Sequence, residues 1–194
     1  PRSQPEVCLT ASSNPAPWDQ AASLGLNVLT ALLEQTLDDL EERAARYLQT
    51  VDTSGSDAAD REITVMLHTH LASDAKEARG RASGPLREYL SAHLNLYATQ
   101  ASGASAVTNA EEVSAADRDA LVEHGLARYL NESGLFGSPE SISPIVNRLS
   151  KAGVTEIGCL VDFGLEREHV IECVHELGKL QKSLVGTAFE GKAG

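Results

Sequence analysis

Apolar positions along this chain recur in two alternating rhythms: short runs with strand-like character, and longer stretches spaced as on one face of a helix. The clearest pair lies at residues 134–164. Ile142, Ile145, Val146 and Leu149 line one helix face, Gly153 ends the helix, and Ile157 to Val161 follows as a nearly continuous apolar run. Such a run fits a strand covered on both faces of a parallel sheet. Ser138 suits the N-cap and Pro139 the first helical position, but Pro144 sits deeper than a first turn tolerates. The helix therefore opens either as an irregular turn after Ser138 or with Ser143 as its cap. A further helix is predicted over 166–182, with Val170, Ile171, Val174, Leu177 and Leu180 on its buried stripe.

Upstream, strands are predicted at 7–12, 27–30 and 62–71. Helices are predicted at 17–24, at 37–51, from 75 to about 94 with an interruption near Gly84-Pro85, and at 117–129. Along 62–71, Ile63, Val65, Leu67 and Leu71 take one face, and Thr64, Met66, His68 and His70 take the other. Four strands alternating with four main helices predict an α/β fold with a parallel sheet and right-handed crossovers. Residues 99–116, rich in Ala, Ser, Gly and Thr, read as the core of an insertion at about 95–133.

The 194 residues, 42% hydrophobic and 4% aromatic, suit one domain spanning 1–194 with a core of Ala, Leu and Val. A net charge of -12 argues against nucleic acid or an anionic membrane as partner. Cys8, Cys159 and Cys173 lack metal-ligand spacing and read as buried small side chains of a reduced, cytoplasmic protein. No apolar segment approaches the roughly 18 to 20 residues of a membrane span, and no export signal opens the chain. The chain starts at Pro1 and reaches a strand within a few residues, which implies a piece of a longer polypeptide.

Several segments resemble the bacterial-luciferase-like, FMN-dependent monooxygenases, specifically the subgroup of mupirocin-type polyketide and nonribosomal peptide pathways. They are Leu24-Gly25-Leu26-Asn27-Val28-Leu29-Thr30, Val65-Met66-Leu67-His68-Thr69, and Ser133-Gly134-Leu135-Phe136-Gly137-Ser138-Pro139-Glu140. The stretches Gly153-Val154-Thr155-Glu156-Ile157 and Cys159-Leu160-Val161-Asp162-Phe163-Gly164 complete the set. The resemblance implies a (β/α)8 TIM-barrel fold of which this chain supplies about the last four strand-helix units. It further implies reduced FMN with O2 as co-substrate, a flavin reductase as source of the reduced cofactor, a small-molecule or carrier-tethered substrate, and a homodimer in the full-length protein. Activity is then expected to need the other half of the barrel.

Active sites of such barrels lie at the C-terminal ends of the strands. Ser12, Ser13 and Asn14 form a turn before a helix N-terminus, an ordinary cap by itself, which the resemblance assigns to the FMN phosphate. Pro15 and Pro17 each remove an N–H donor there, so Ser13 and Asn14 are expected to compensate. Thr30, at the end of the second strand, is expected from the resemblance to be a further, weaker flavin contact. Alternation turns His68 and His70 toward the barrel mouth, and on the last strand it aligns Gly158, Leu160 and Asp162, with Asp162 at the mouth. His68, His70 and Asp162 are the candidate catalytic residues, with no metal among the expected cofactors. Two other readings stay open. His68-Thr69-His70 with Asp162 resembles the metal-binding pattern of amidohydrolase barrels, although that family places the His-x-His pair on its first strand. A half-barrel scaffold or inactive remnant is the non-catalytic alternative.

Overall fold

A computed structural model describes residues 6–54, 57–93 and 114–190, with side chains left aside at 115, 116 and 185–190. Among the described residues five strands, β1 (Cys8–Thr10), β2 (Asn27–Ala31), β3 (Ile63–Leu71), β4 (Leu135–Gly137) and β5 (Glu156–Leu160), are separated by helices along the chain. The helices are α1 (Pro15–Leu24), α2 (Leu37–Thr53), α3 (Ala75–Ala92), α4 (Ala115–Arg128), α5 (Pro139–Lys151) and α6 (Arg167–Glu190). The β1–β2, β2–β3 and β3–β4 ladders are parallel, as the alternation requires. Among the described residues no helix is long and apolar enough to cross a membrane. Two compact units divide the chain: Pro1–Leu67 with Pro144–Cys159, and His68–Ser143 with Leu160–Gly194. β3 gives its first part to one and its last part to the other.

In the first unit β2 pairs with β1 and β3, and β5 also pairs with β3. α1 and α2 pack together, and their buried faces carry Trp18, Ala21 and Ala22 on the one and Leu40, Ala44, Tyr47 and Val51 on the other, all at most 1% exposed. Alanines at the contact let the helices approach while the two large rings fill the remaining space. The Trp18 and Tyr47 rings meet edge-on at 6.2 Å, and the Tyr47 hydroxyl donates to the Leu26 carbonyl at 2.6 Å. α2 opens with a capping box: Thr36 Oγ1 accepts from the Asp39 N–H at 3.2 Å, and the Asp39 carboxylate accepts from the Thr36 N–H at 2.9 Å. Thr36→Ala should lower unfolding free energy by about 1 kcal/mol in urea titrations; no loss would mean that the box adds nothing to stability. Arg148, in the last turn of α5, pairs with Asp38 and Glu41 at the start of α2. Gly153 follows α5 with φ +91, and a Cβ there would fall 2.6 Å from Leu48 Cδ1, so the turn needs glycine.

The start of α5 is settled by its hydrogen bonds. Ser138 Oγ accepts from the Ser141 N–H and Ser141 Oγ accepts from the Ser138 N–H, so Ser138 is the cap and Pro144 lies inside an unbroken helix. The rung Pro144 removes would have ended on the carbonyl of Glu140, an exposed residue that water can satisfy.

The second unit departs further from the sequence expectation. β4, a fifth strand of three residues, pairs with β3 through Thr69↔Leu135, His70↔Phe136 and Leu71↔Gly137. Two apolar residues between glycines are too short a pattern to announce it. α3 runs through Gly84 and Pro85 without the predicted interruption, because Ala78, Ala82, Leu86 and Leu90, all at most 1% exposed, hold both halves to one core face. α6 is rotated from its predicted stripe. Cys173, Glu176 and Leu180 turn inward, whereas Ile171 and Val174 are 46% and 52% exposed. The small Cys173 side chain fits against the end of β3, its Sγ accepting from the Leu71 N–H at 3.2 Å. Cys173 is thus buried as expected, but Cys8 is exposed and Cys159 only half-buried. Of the predicted insertion, residues 94–113 lie outside those described, and 114–133 form α4 and a π turn, Tyr129–Ser133.

Candidate active site

The predicted site residues fall into two groups, one in each unit. In the first unit, β1 ends at Thr10 and the chain turns through Ser12, Ser13 and Asn14 into α1. Trp18 pins this turn from below, its Nε1–H donating to the Ser12 carbonyl at 3.0 Å. The hydroxyls of Ser12 and Ser13 both point to one carboxylate oxygen of Glu34, each at 3.4 Å. Asn14 Oδ1 accepts from the Ala16 N–H at 3.0 Å and so caps α1, which leaves its amide Nδ2 as a donor. Pro15 and Pro17 offer no N–H and the Ala16 N–H is already bonded to Asn14, so side chains supplement the few donors left at this turn.

Thr30 is 2% exposed. Its Oγ1 accepts from the Gln35 side-chain amide at 2.7 Å; the same amide donates to the Ala31 carbonyl, and Arg43 donates to Gln35 Oε1 at 2.8 Å. This buried network ties the end of β2 to α2. Glu34 and Gln35 were invisible as partners in the sequence, since both sit in the loop joining β2 to α2 and meet the turn or strand only after folding.

In the second unit His68 ends in a cluster of rings. Its imidazole lies edge-on to Tyr89 of α3 at 4.7 Å, Tyr129 of the π turn at 5.2 Å and Phe163, just past β5, at 5.6 Å. Phe136 of β4 lies edge-on to Phe163 at 6.0 Å. The chain has only eight aromatic residues, one Trp, four Tyr and three Phe, and four of them gather around or beside this one histidine. His68 Nε2 is buried with no hydrogen-bond partner. Burial, assisted by nearby His93, lowers its pKa to about 4, so the ring is neutral at neutral pH. Gly134 lets the β4 approach pass close by: a Cβ there would come within 2.9 Å of the His68 carbonyl oxygen and strike the Phe136 ring.

His70 is 0% exposed, and neither ring nitrogen has a hydrogen-bond partner. Its ring lies 6.2 Å from that of His169 on α6. Burial first, then His169 and Arg81, push its pKa down, against an opposing pull from Glu172. Arg81 itself pairs with Glu77 and Glu172 at 2.5 Å each. Asp162 lies beyond the end of β5, exposed and without a hydrogen-bond or ion-pair partner among the described residues. It is the adjacent Phe163 that reaches His68. No group of three or more His, Cys, Asp or Glu side chains gathers to hold a metal ion among the described residues.

Comparison with known families turns on the strand-helix chain just described: the family model for luciferase-like monooxygenases matches residues 1–156. The chain belongs to the luciferase-like monooxygenase family. Among solved structures, monooxygenase RslO1 from Streptomyces bottropensis superposes with a TM-score of 0.61 at 17% identity, over 92% of this chain and 48% of that one. The coenzyme F420-dependent tetrahydromethanopterin reductase from Methanopyrus kandleri gives 0.58 at 17% identity, over 86% and 48%. The oxygenating constituent of 3,6-diketocamphane monooxygenase from Pseudomonas putida, solved in complex with FMN, gives 0.53 at 19% identity, over 81% and 42%. No curated protein sequence matches. At these identities the structures establish the fold, an α/β architecture of the TIM-barrel type. This luciferase-like chain spans about half the length of the solved structures it matches.

Proposed function

We propose that this luciferase-like chain is the C-terminal part of a flavin-dependent monooxygenase that uses reduced FMN and O2 to oxygenate an organic substrate. The family match over residues 1–156 carries the reading. Bound flavin would supply the redox chemistry, and the protein's share is binding, orientation and exclusion of water. The turn at the end of β1 fits a phosphate, since two hydroxyls already converge on one anionic oxygen and the Asn14 amide remains as a third donor. Ser12, Ser13 and Asn14 are assigned to the phosphate, and Thr30, which the Gln35 amide holds at the end of β2, to a weaker flavin contact. His68, as a neutral imidazole, is assigned to a hydrogen bond beside the reacting atoms, with His70 and Asp162 completing the catalytic set.

Glu34 competes with any anion at that turn. Glu34→Gln should tighten FMN about fivefold while leaving riboflavin, which has no phosphate, unchanged. Equal changes for both ligands in fluorescence titrations would remove the phosphate from this turn.

The resemblance to enzymes of polyketide and nonribosomal peptide pathways supports a role in secondary-metabolite biosynthesis, with a flavin reductase as partner and a small-molecule or carrier-tethered substrate. It equally supports a cytoplasmic homodimer, and an isolated chain that needs the remaining strands for activity. The deciding experiment expresses the full reading frame and measures oxygen-dependent turnover with FMN and an NADH-driven reductase, beside titration with F420. Turnover with FMN upholds the proposal, binding of F420 alone replaces it with an F420-dependent oxidoreductase, and neither leaves a scaffold. In the active protein His68→Ala and Asp162→Ala should each lower turnover at least about tenfold with an unchanged circular dichroism spectrum; wild-type rates would remove that residue from the site.

A further inference from the structure

The ring cluster around His68 has a consequence for how that histidine works. An imidazolium needs both N–H groups hydrogen-bonded or hydrated. At His68 the Nε2 atom is buried without a partner, and three rings stand 4.7 to 5.6 Å away, from α3, the π turn and the loop after β5. No carboxylate forms an ion pair with it among the described residues. The titratable groups around it are Tyr89 of α3 and His93, which caps that helix, stacked on each other at 4.4 Å, and Tyr129 from the π turn; Phe163 is apolar. Two effects compete. Aromatic faces attract a cation by about 0.5 to 2 kcal/mol, whereas removing an imidazolium from water without a counter-charge costs more. Every ring meets His68 edge-on, at 61° to 74°, so each arm of the cluster also limits rotation of the imidazole.

We infer that Tyr89, Tyr129 and Phe163 are positioning residues that fix the orientation of the His68 imidazole and hold it as a neutral hydrogen-bonding group, not a proton-carrying acid. The protonation state follows from the cluster alone; its catalytic meaning rests on the proposed monooxygenase reading. A neutral imidazole presents one N–H donor and one acceptor nitrogen over the whole working pH range. It can therefore orient a bound group without releasing or taking a proton as pH changes.

The test is an NMR titration of the imidazole signals of the whole chain, with His68 assigned by the signal lost in His68→Asn. The wild-type His68 resonance should stay that of a neutral ring from pH 8 down to about 5, below the ordinary histidine range near 6.5. Tyr89 is only half-buried, so Tyr89→Ala can open one wall while the core remains; it should raise the His68 midpoint by at least about one unit, and Tyr89→Phe should restore it. A wild-type midpoint at or above about 6.5 would mean that the ring faces stabilise the cation, and would overturn the inference without need of any variant. An unchanged midpoint in a folded Tyr89→Ala would overturn the role of that ring. Where the full-length enzyme turns over, its pH–rate profile should lack an inflection near 6.5 and acquire one in Tyr89→Ala. Neutral His68 in the NMR with no oxygenation in any assay would sink the monooxygenase reading alone.

Discussion

Trp18→Ala should cost roughly 3 to 5 kcal/mol of unfolding free energy, the largest loss expected of any single substitution in the first unit. The ring is 1% exposed, sits edge-on against Tyr47 and fills the space left between alanine-rich faces of α1 and α2. Truncation removes its buried area, leaves a cavity that rigid helix backbones cannot collapse, and strands the Ser12 carbonyl that the indole N–H satisfies. Trp18→Phe keeps most of the volume and loses the hydrogen bond, so about 1 to 2 kcal/mol is expected there. Urea unfolding followed by circular dichroism measures both, and a Trp18→Ala loss below about 1 kcal/mol would show that the ring is not part of the core. Because the same indole holds the Ser12 turn, Trp18→Phe should also weaken FMN more than riboflavin, linking core packing to the proposed phosphate contact.

Acid should weaken the second unit well before carboxylates titrate. His68 and His70 both have pKa values lowered in the folded chain, and for His68, between the unfolded value near 6.5 and about 4, the unfolded state binds more protons. Stability is therefore fully present above 6.5 and falls as pH drops toward 4. For His68 alone, linkage gives a loss on the order of 2 kcal/mol between pH 7.5 and 5, and His70 adds to it with the same sign. The chain carries a net charge of -12, so partial neutralisation on acidification relieves some repulsion and works the other way. Comparing wild type with His68→Phe separates the two, since the global effect is common to both. Unfolding at pH 7.5 and 5 should show the wild type losing about 2 kcal/mol more than the variant. Equal losses would mean that His68 is protonated as readily in the folded chain as in the unfolded one. Trp18, the chain's one tryptophan, reports the first unit by fluorescence.

The alternation of strands and helices, and with it the parallel α/β class, was determined by the sequence itself. Apolar periodicity is a local property: Ile63, Val65 and Leu67 had to share a face of β3, and Leu40, Ala44 and Tyr47 a face of α2, whatever else the chain did. Caps were equally local. Thr36 with Asp39 and Asn14 with Ala16 act over two or three residues, and both formed where the residue types stood.

Tertiary structure decided the rest because it depends on which distant elements meet. α6 buries Cys173 and Glu176 instead of Ile171 and Val174 since its facing depends on the strand end it covers, where a thiol reaches the Leu71 N–H. Pro85 was read as a helix break from local sterics, yet four buried core residues on both sides of it hold α3 together. The residue types of the site, hydroxyls at one turn and histidines on one strand, were legible, but their partners were not. Glu34 lies 21 and 22 positions from the hydroxyls it engages. Tyr89, Tyr129 and Phe163 come from three elements to enclose His68. Local patterning decides what each element is, whereas the charge state of a buried imidazole is set by solvent exclusion, and only neighbours brought together by the fold exclude solvent.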